Sequence, residues 1–401
     1  MNTPPASNRN LLILTVGVFL IMLPVTAVVP LLHELTAGRY PGLSTWQQHG
    51  FISINLAGAL LAALTIGPWS DRLGRRRPLL LPALVTFASA LLLMTLPWPW
   101  LVHMMLRLIE GYAHMAALIL LMTLAADQAR QGRDGRVMGL VGAALSLGVA
   151  CGAILGGRID PGRAETVFLW GGGLIVVVAF LAAWLVSDHG LRPTHHRFRE
   201  ILQLTARHRE MLVPYAFTFI DRITVGFIIS TVSLYFAVEL GLPPARIGLV
   251  MAAFLLPYSL LTFPVGVLSE RIDAGLIMVV GSLLYGVFLA ILGLVGAGQV
   301  AWTMVAGGLV ASLLLAPSLI LVVRLARPDQ RATAMGGFHL AGSLGFMLGP
   351  LVGVASIQTL TGLGLSPWPG VFFIVGSLEI LCALLLLPVI LRIRQERLRT
   401  Q

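Results

Sequence analysis

Residues 67–76 read Gly67-Pro68-Trp69-Ser70-Asp71-Arg72-Leu73-Gly74-Arg75-Arg76, and the frame of the first six returns 199 residues later as Gly266-Val267-Leu268-Ser269-Glu270-Arg271. A second pattern, Gly148-x-x-x-Gly152-Ala153-x-x-Gly156, returns 197 residues later as Gly345-x-x-x-Gly349-Pro350-x-x-Gly353. Two glycine patterns repeating at nearly one offset imply two homologous halves. Each copy sits inside or at the end of a long apolar run. The expected architecture is therefore an all-α integral membrane protein, with two pseudo-symmetric six-helix bundles and the substrate path between them.

Composition agrees with this. The 401 residues are 57% hydrophobic and 11% charged, with a mean hydropathy of +0.90. A soluble domain of this length needs far more charged surface. Each span needs about 20 apolar residues. Twelve runs qualify, at 11–33, 50–69, 78–97, 99–125, 137–157, 167–187, 212–237, 247–268, 275–297, 300–323, 333–356 and 370–391. They read as helices because hydrocarbon offers backbone groups no outside partner. The first run is too long for a signal-peptide core and has no small-residue cleavage site after it. The N-terminal bundle is placed at 1–187, a cytoplasmic linker at 188–211 and the C-terminal bundle at 212–401.

The net charge of +10 comes from 27 basic residues, all arginine. In a soluble protein it would suggest nucleic acid; here the placement of the arginines makes it a topology signal. If the N-terminus is cytoplasmic, 21 arginines fall on the inner side and only Arg39, Arg158, Arg163 and Arg246 on the outer. That bias puts both termini inside, in a bacterial inner membrane. Cys151 and Cys382 lie within apolar runs and read as packing residues. No phosphate loop, nucleophile elbow or metal-ligand spacing is present, so neither an enzyme nor a cofactor is expected, and a proton gradient is the expected energy source. The expected partners are a small molecule, protons and the bilayer, with a monomer as the default.

At residues 67–76 the chain resembles the major facilitator superfamily, whose loop between helices 2 and 3 carries G-x-x-x-D-x-x-G-R-[RK]. The resemblance covers essentially the whole chain. It implies that Gly67, Asp71, Gly74, Arg75 and Arg76 form a latch between the halves, with a weaker counterpart at Gly266, Glu270 and Arg271. On their own terms, these arginines serve equally to set topology. Arg107-Leu-Ile-Glu110-Gly111 resembles the superfamily's helix-4 motif R-x-x-Q-G, with Glu110 in place of Gln, and implies that Arg107 takes part in proton transfer. Gly148, Gly152, Ala153, Gly156 and Gly157 resemble the antiporter motif G-x-x-x-G-P-x-x-G-G of the twelve-helix drug:proton branch. That motif implies an exporter whose span 5 lies against span 8, although Ala153 replaces its proline. Generic close packing of helices explains the same glycines.

Charges inside spans are costly and so mark candidate chemistry. Spacings of three and four place Arg107, Glu110 and His114 on one face of span 4. Asp221 and Arg222 sit near the middle of span 7 and, as neighbours about 100° apart on a helix, are not expected to face each other. Glu110, Asp221 and Arg107 are the proton-coupling candidates. Arg222, His114, Asn55, Tyr258, His339 and Glu379 are the substrate-binding candidates; the resemblance implies that the helix of Glu379 lies at the edge of its bundle, with Glu379 protonated and hydrogen-bonded within that bundle as its alternative role. Tyr258, between Pro257 and Pro264, suggests a kinked gating helix. The leading expectation is proton-coupled export of a small amphipathic compound (drug, metabolite or siderophore) by alternating access. An importer or facilitator of an organic anion, a lipid transporter and a non-transporting sensor are the alternatives.

Overall fold

The computed structural model describes residues 8–73, 75–127, 134–186, 209–326 and 331–400. Among these are twelve helices long and apolar enough to cross a membrane. In chain order they are α1 (Asn8–Ala27), α2 (Thr45–Leu73), α3 (Arg77–Met94), α4 (Trp100–Asp127), α5 (Asp134–Gly157) and α6 (Thr166–Leu185), then α7 (Leu212–Phe227), α8 (Pro244–Arg271), α9 (Ala274–Leu292), α10 (Val300–Leu325), α11 (Arg331–Gly362) and α12 (Pro367–Thr400). Each overlaps one predicted span. Several run further, α12 most of all, because a helix started in hydrocarbon can continue into water on a charged segment such as Arg392–Glu396. Of the expected linker, 188–208 lies outside the described residues.

The chain divides into two compact units. The first holds α1–α6 and, from α8, Pro243–Ala252; the second holds α7, the rest of α8 and α9–α12. The same pairings recur in both. In the first, α1 packs on α5, α3 on α6 and α3 on α4. In the second, the corresponding pairs are α7 on α11, α9 on α12 and α9 on α10.

The repeated glycines make the closest of these contacts. A Cβ on Gly148 would come within 2.6 Å of the Phe19 carbonyl oxygen, and Cβ atoms on Gly152 and Gly156 would run into the α1 backbone at Leu23 and Ala27. In the second unit, Gly345 and Gly349 press on α7 at Phe219 and Ile223. Most of the span-5 glycines therefore seat α5 on α1, which corrects the expectation that they serve span 8. Only Gly157, at the end of α5, meets Pro244, while the Ala153 carbonyl abuts Gly248. Small residues are needed because in lipid the helices are held by close packing rather than by exclusion of water.

Both halves also break their first helix alike. The chain passes through a π-helical turn at Glu34–Gly38 and again at Tyr235–Glu239. It then reverses at Gly42 (φ 90°) and Gly241 (φ 60°), positions that favour glycine because a side chain clashes at positive φ. These two glycines are again 199 residues apart. Arg39, which the sequence places only on the outer side, ties the first turn down. Its guanidinium donates to the carbonyls of Met94 at 3.0 Å and Leu96 at 2.7 Å, at the end of α3.

Gly156→Val and Gly349→Val are each expected to destabilise the purified protein by about 1–3 kcal/mol or more, since the neighbour is backbone and cannot yield. Gly173→Ala, where a Cβ meets nothing within 4 Å, should leave thermal stability unchanged or raised by up to about 1 kcal/mol. Thermal unfolding in detergent reads both.

Candidate functional site

In the first unit the chemistry lies between α2 and α4. Gly58 and Gly111 let the two helices touch, because a Cβ at either would enter the facing backbone, at Leu108 and Asn55 respectively. This approach brings Asn55 to Glu110, where its Nδ2 donates to Oε2. Arg107 Nη1 donates to the same oxygen at 2.7 Å. The Arg107 guanidinium also lies 4.7 Å from the centre of the Phe51 ring, a cation–π contact that neutral lipid cannot supply. Arg107 and Glu110 are 1% and 0% exposed. Arg107 Nε and Glu110 Oε1 have no hydrogen-bond partner among the described residues. The charges thus neutralise each other while keeping one free donor and one free acceptor.

His114 does not join this pair. It is buried with its Nε2 3.4 Å from Met22 Sδ and its ring 5.5 Å from Phe87. The helical spacing put it on the face of Glu110, but the turn that separates them carries it into packing between α1 and α3.

In the second unit, Asp221 and Arg222 do interact, which corrects the expectation for neighbours on a helix. The long arginine side chain folds back, bringing Nε to 3.8 Å from Asp221 Oδ2. Tyr258 of α8 lies near Arg222, within its electrostatic reach. His339 of α11 is exposed in the chain alone and feels the Arg222 charge. Gly342 of α11 leaves room for the Arg222 side chain, whose Cγ lies 3.4 Å from where a Cβ would stand.

Glu379 is 1% exposed and makes its hydrogen bonds within its own unit. Ser282 of α9 donates to its Oε2, and Thr224 Oγ1 of α7 is 3.3 Å from its Oε1. Glu379 and Asp221 line one narrow crevice together with Phe217, Thr218, Met278, Leu314 and Ser318. Thr224, Ser282 and the buried Tyr285 went unremarked in the sequence because hydroxyls in apolar helices are common; so did Phe51. Half-buried Glu34, just past α1, was also missed; burial pushes its carboxyl above the usual range.

The latch is only partly in view. The side chains of Asp71 and Glu270, the surroundings of Gly67 within α2, and the residue Gly74 lie outside what is described. Arg76 donates to Ser70 at 2.6 Å, while Arg75 and Arg271 are exposed. Gly266 has only an ordinary contact, with Ala316 at 3.7 Å.

The family model for the Major Facilitator Superfamily matches residues 14–214 and 214–400. The chain belongs to that superfamily. It is a multi-pass membrane transporter of a small molecule rather than an enzyme. Over 398 residues it is 23% identical to the tetracycline resistance protein, class E, of Escherichia coli, covering 95% of each chain. A shorter segment of 98 residues is 42% identical to the D-xylose transporter of Levilactobacillus brevis, spanning 24% of this chain and 21% of that transporter. Among solved structures, a mutant of the nucleoside transporter NupG superposes with a TM-score of 0.79 at 14% identity, covering 94% of this chain and 99% of that one. That likeness speaks for the fold alone.

Removing one member of the buried pair strands the other. Glu110→Ala is expected to cost about 3–5 kcal/mol, whereas the double change Arg107→Met with Glu110→Leu should recover most of that loss. Thermal unfolding of the two variants side by side checks it.

Proposed function

We propose that this chain is a proton-coupled exporter of a small amphipathic compound, working by alternating access. The observation that carries the reading is the match to a tetracycline resistance protein across 95% of both chains. The geometry supports it with a carboxyl whose charge state matters. Glu110 oxygen Oε2 receives both Arg107 and Asn55, so protonating Glu110 weakens the α4 ion pair and the α2–α4 bridge together. Asp221 stands in the same relation to Arg222 in the second unit. In this reading, protons from outside load Glu110 or Asp221, free the arginines and favour release of the substrate. The arginine distribution supports a bacterial inner membrane with both termini cytoplasmic, and we take the working form to be a monomer.

A second reading, uptake of a polar solute, is favoured by the segment matched to the D-xylose transporter. Counterflow in proteoliposomes with and without a pH gradient separates the two. In the export reading, a gradient drives accumulation of a fluorescent tetracycline-class compound. Glu110→Gln and Asp221→Asn then each reduce that accumulation to the level of protein-free liposomes when equal amounts of folded protein are reconstituted. Full drive in both variants overturns proton coupling through these acids.

A further inference from the structure

The crevice between α7, α9, α10 and α12 is lined by two carboxyls, Asp221 and Glu379; the Arg222 guanidinium, which is not part of that lining, lies beside Asp221 at 3.8 Å. Glu379 has no cation at ion-pair distance among the described residues; its partners are hydroxyls. A buried carboxylate without a cation costs several kcal/mol, and more in lipid than in a soluble core.

A hydroxyl has one proton to give. Thr224 faces two acceptors, the Asp221 carbonyl one turn back at 2.7 Å and Glu379 Oε1 at 3.3 Å. The shorter contact takes the Thr224 proton, leaving the Thr224 oxygen as an acceptor opposite a second acceptor. Only a proton on Glu379 turns that contact into a bond, with the acid donating to Thr224 and Ser282 donating to the acid. The Tyr285 hydroxyl, fully buried beside Thr224 and with no hydrogen bond of good geometry among the described residues, is within electrostatic reach of both carboxyls.

We propose that Glu379 is a further proton-binding site of this transporter, in which the neutral acid joins α12 to α7 and α9. The step is a simple transfer: the Glu379 carboxylate takes a proton from hydronium and releases water, and the reverse step returns it. Loss of the proton places a bare charge beside Asp221 and removes the bond to Thr224, loosening α12 from the helix that carries Asp221 and Arg222. The titratable groups in electrostatic reach of Glu379 are Asp221 on α7, Tyr285 on α9 and Cys382 on α12; Arg222, with Tyr258 on α8 and His339 on α11 near it, lies on the far side of Asp221 from this group. Its role in transport rests on the proton-coupled reading above; the protonation itself does not.

The test is infrared difference spectroscopy of the reconstituted full chain, titrated from mildly acidic to mildly alkaline pH. The expected result is a protonated-carboxyl stretch that is lost in Glu379→Gln, persists in Glu110→Gln and shifts in frequency in Ser282→Ala. If Glu379→Gln does not fold, the Ser282→Ala shift decides. A carboxyl stretch unchanged in Glu379→Gln, or unshifted in Ser282→Ala, overturns the proposal. Wild-type transport is measured in the same vesicles across the same pH range. Transport without pH dependence alongside an intact Glu379 signal would remove the coupling reading and leave the proton site standing.

Discussion

Hydrocarbon supplies neither a hydrogen-bond partner nor a counter-ion, so every charge carried into the bilayer must be answered by another group of the protein. The two units meet this constraint differently. In the first, an arginine and a glutamate three residues apart on α4 answer each other, steadied by Asn55 and the Phe51 ring. In the second, Arg222 answers Asp221, and Glu379 is left to hydroxyls. The closeness of the helices decides whether such partners can meet. Asn55 reaches Glu110 because Gly58 and Gly111 allow α2 to lie on the backbone of α4.

This makes the charge chemistry and the helix packing one system. A proton added to Glu110 changes what holds α2 to α4. A proton removed from Glu379 changes what holds α12 to α7 and α9. Both changes act on junctions between helices of one bundle, where a small free energy can shift packing between discrete arrangements. A binding event that alters either junction therefore has a physical route to conformation, and the reverse holds by linkage.

Much of this was legible from the chain itself. Apolar runs and the arginine bias give the spans and their expected orientation, and the 197- and 199-residue repeats give the two halves. The span-4 charges were legible too, because spacings of three and four are a local rule. What was not legible depended on contacts distant in sequence. Glu379 meets Thr224 across 155 residues and Ser282 across 97, and no local pattern announces that meeting. The same reason misdirected the glycines of α5. Their spacing says that something lies close, but only the structure shows that it is α1. Gly42 and Gly241 were missed because a single glycine in a loop carries no period.

In the account that emerges, intramembrane carboxyls exchange protons as a small solute crosses. Its central claim is tested most directly by purified wild-type protein in vesicles that enclose a pH-sensitive dye. On addition of a tetracycline-class compound with no imposed gradient, the lumen pH should change as the compound moves, and the change should disappear when an uncoupler is present. Movement of the compound with no change in lumen pH would contradict the account.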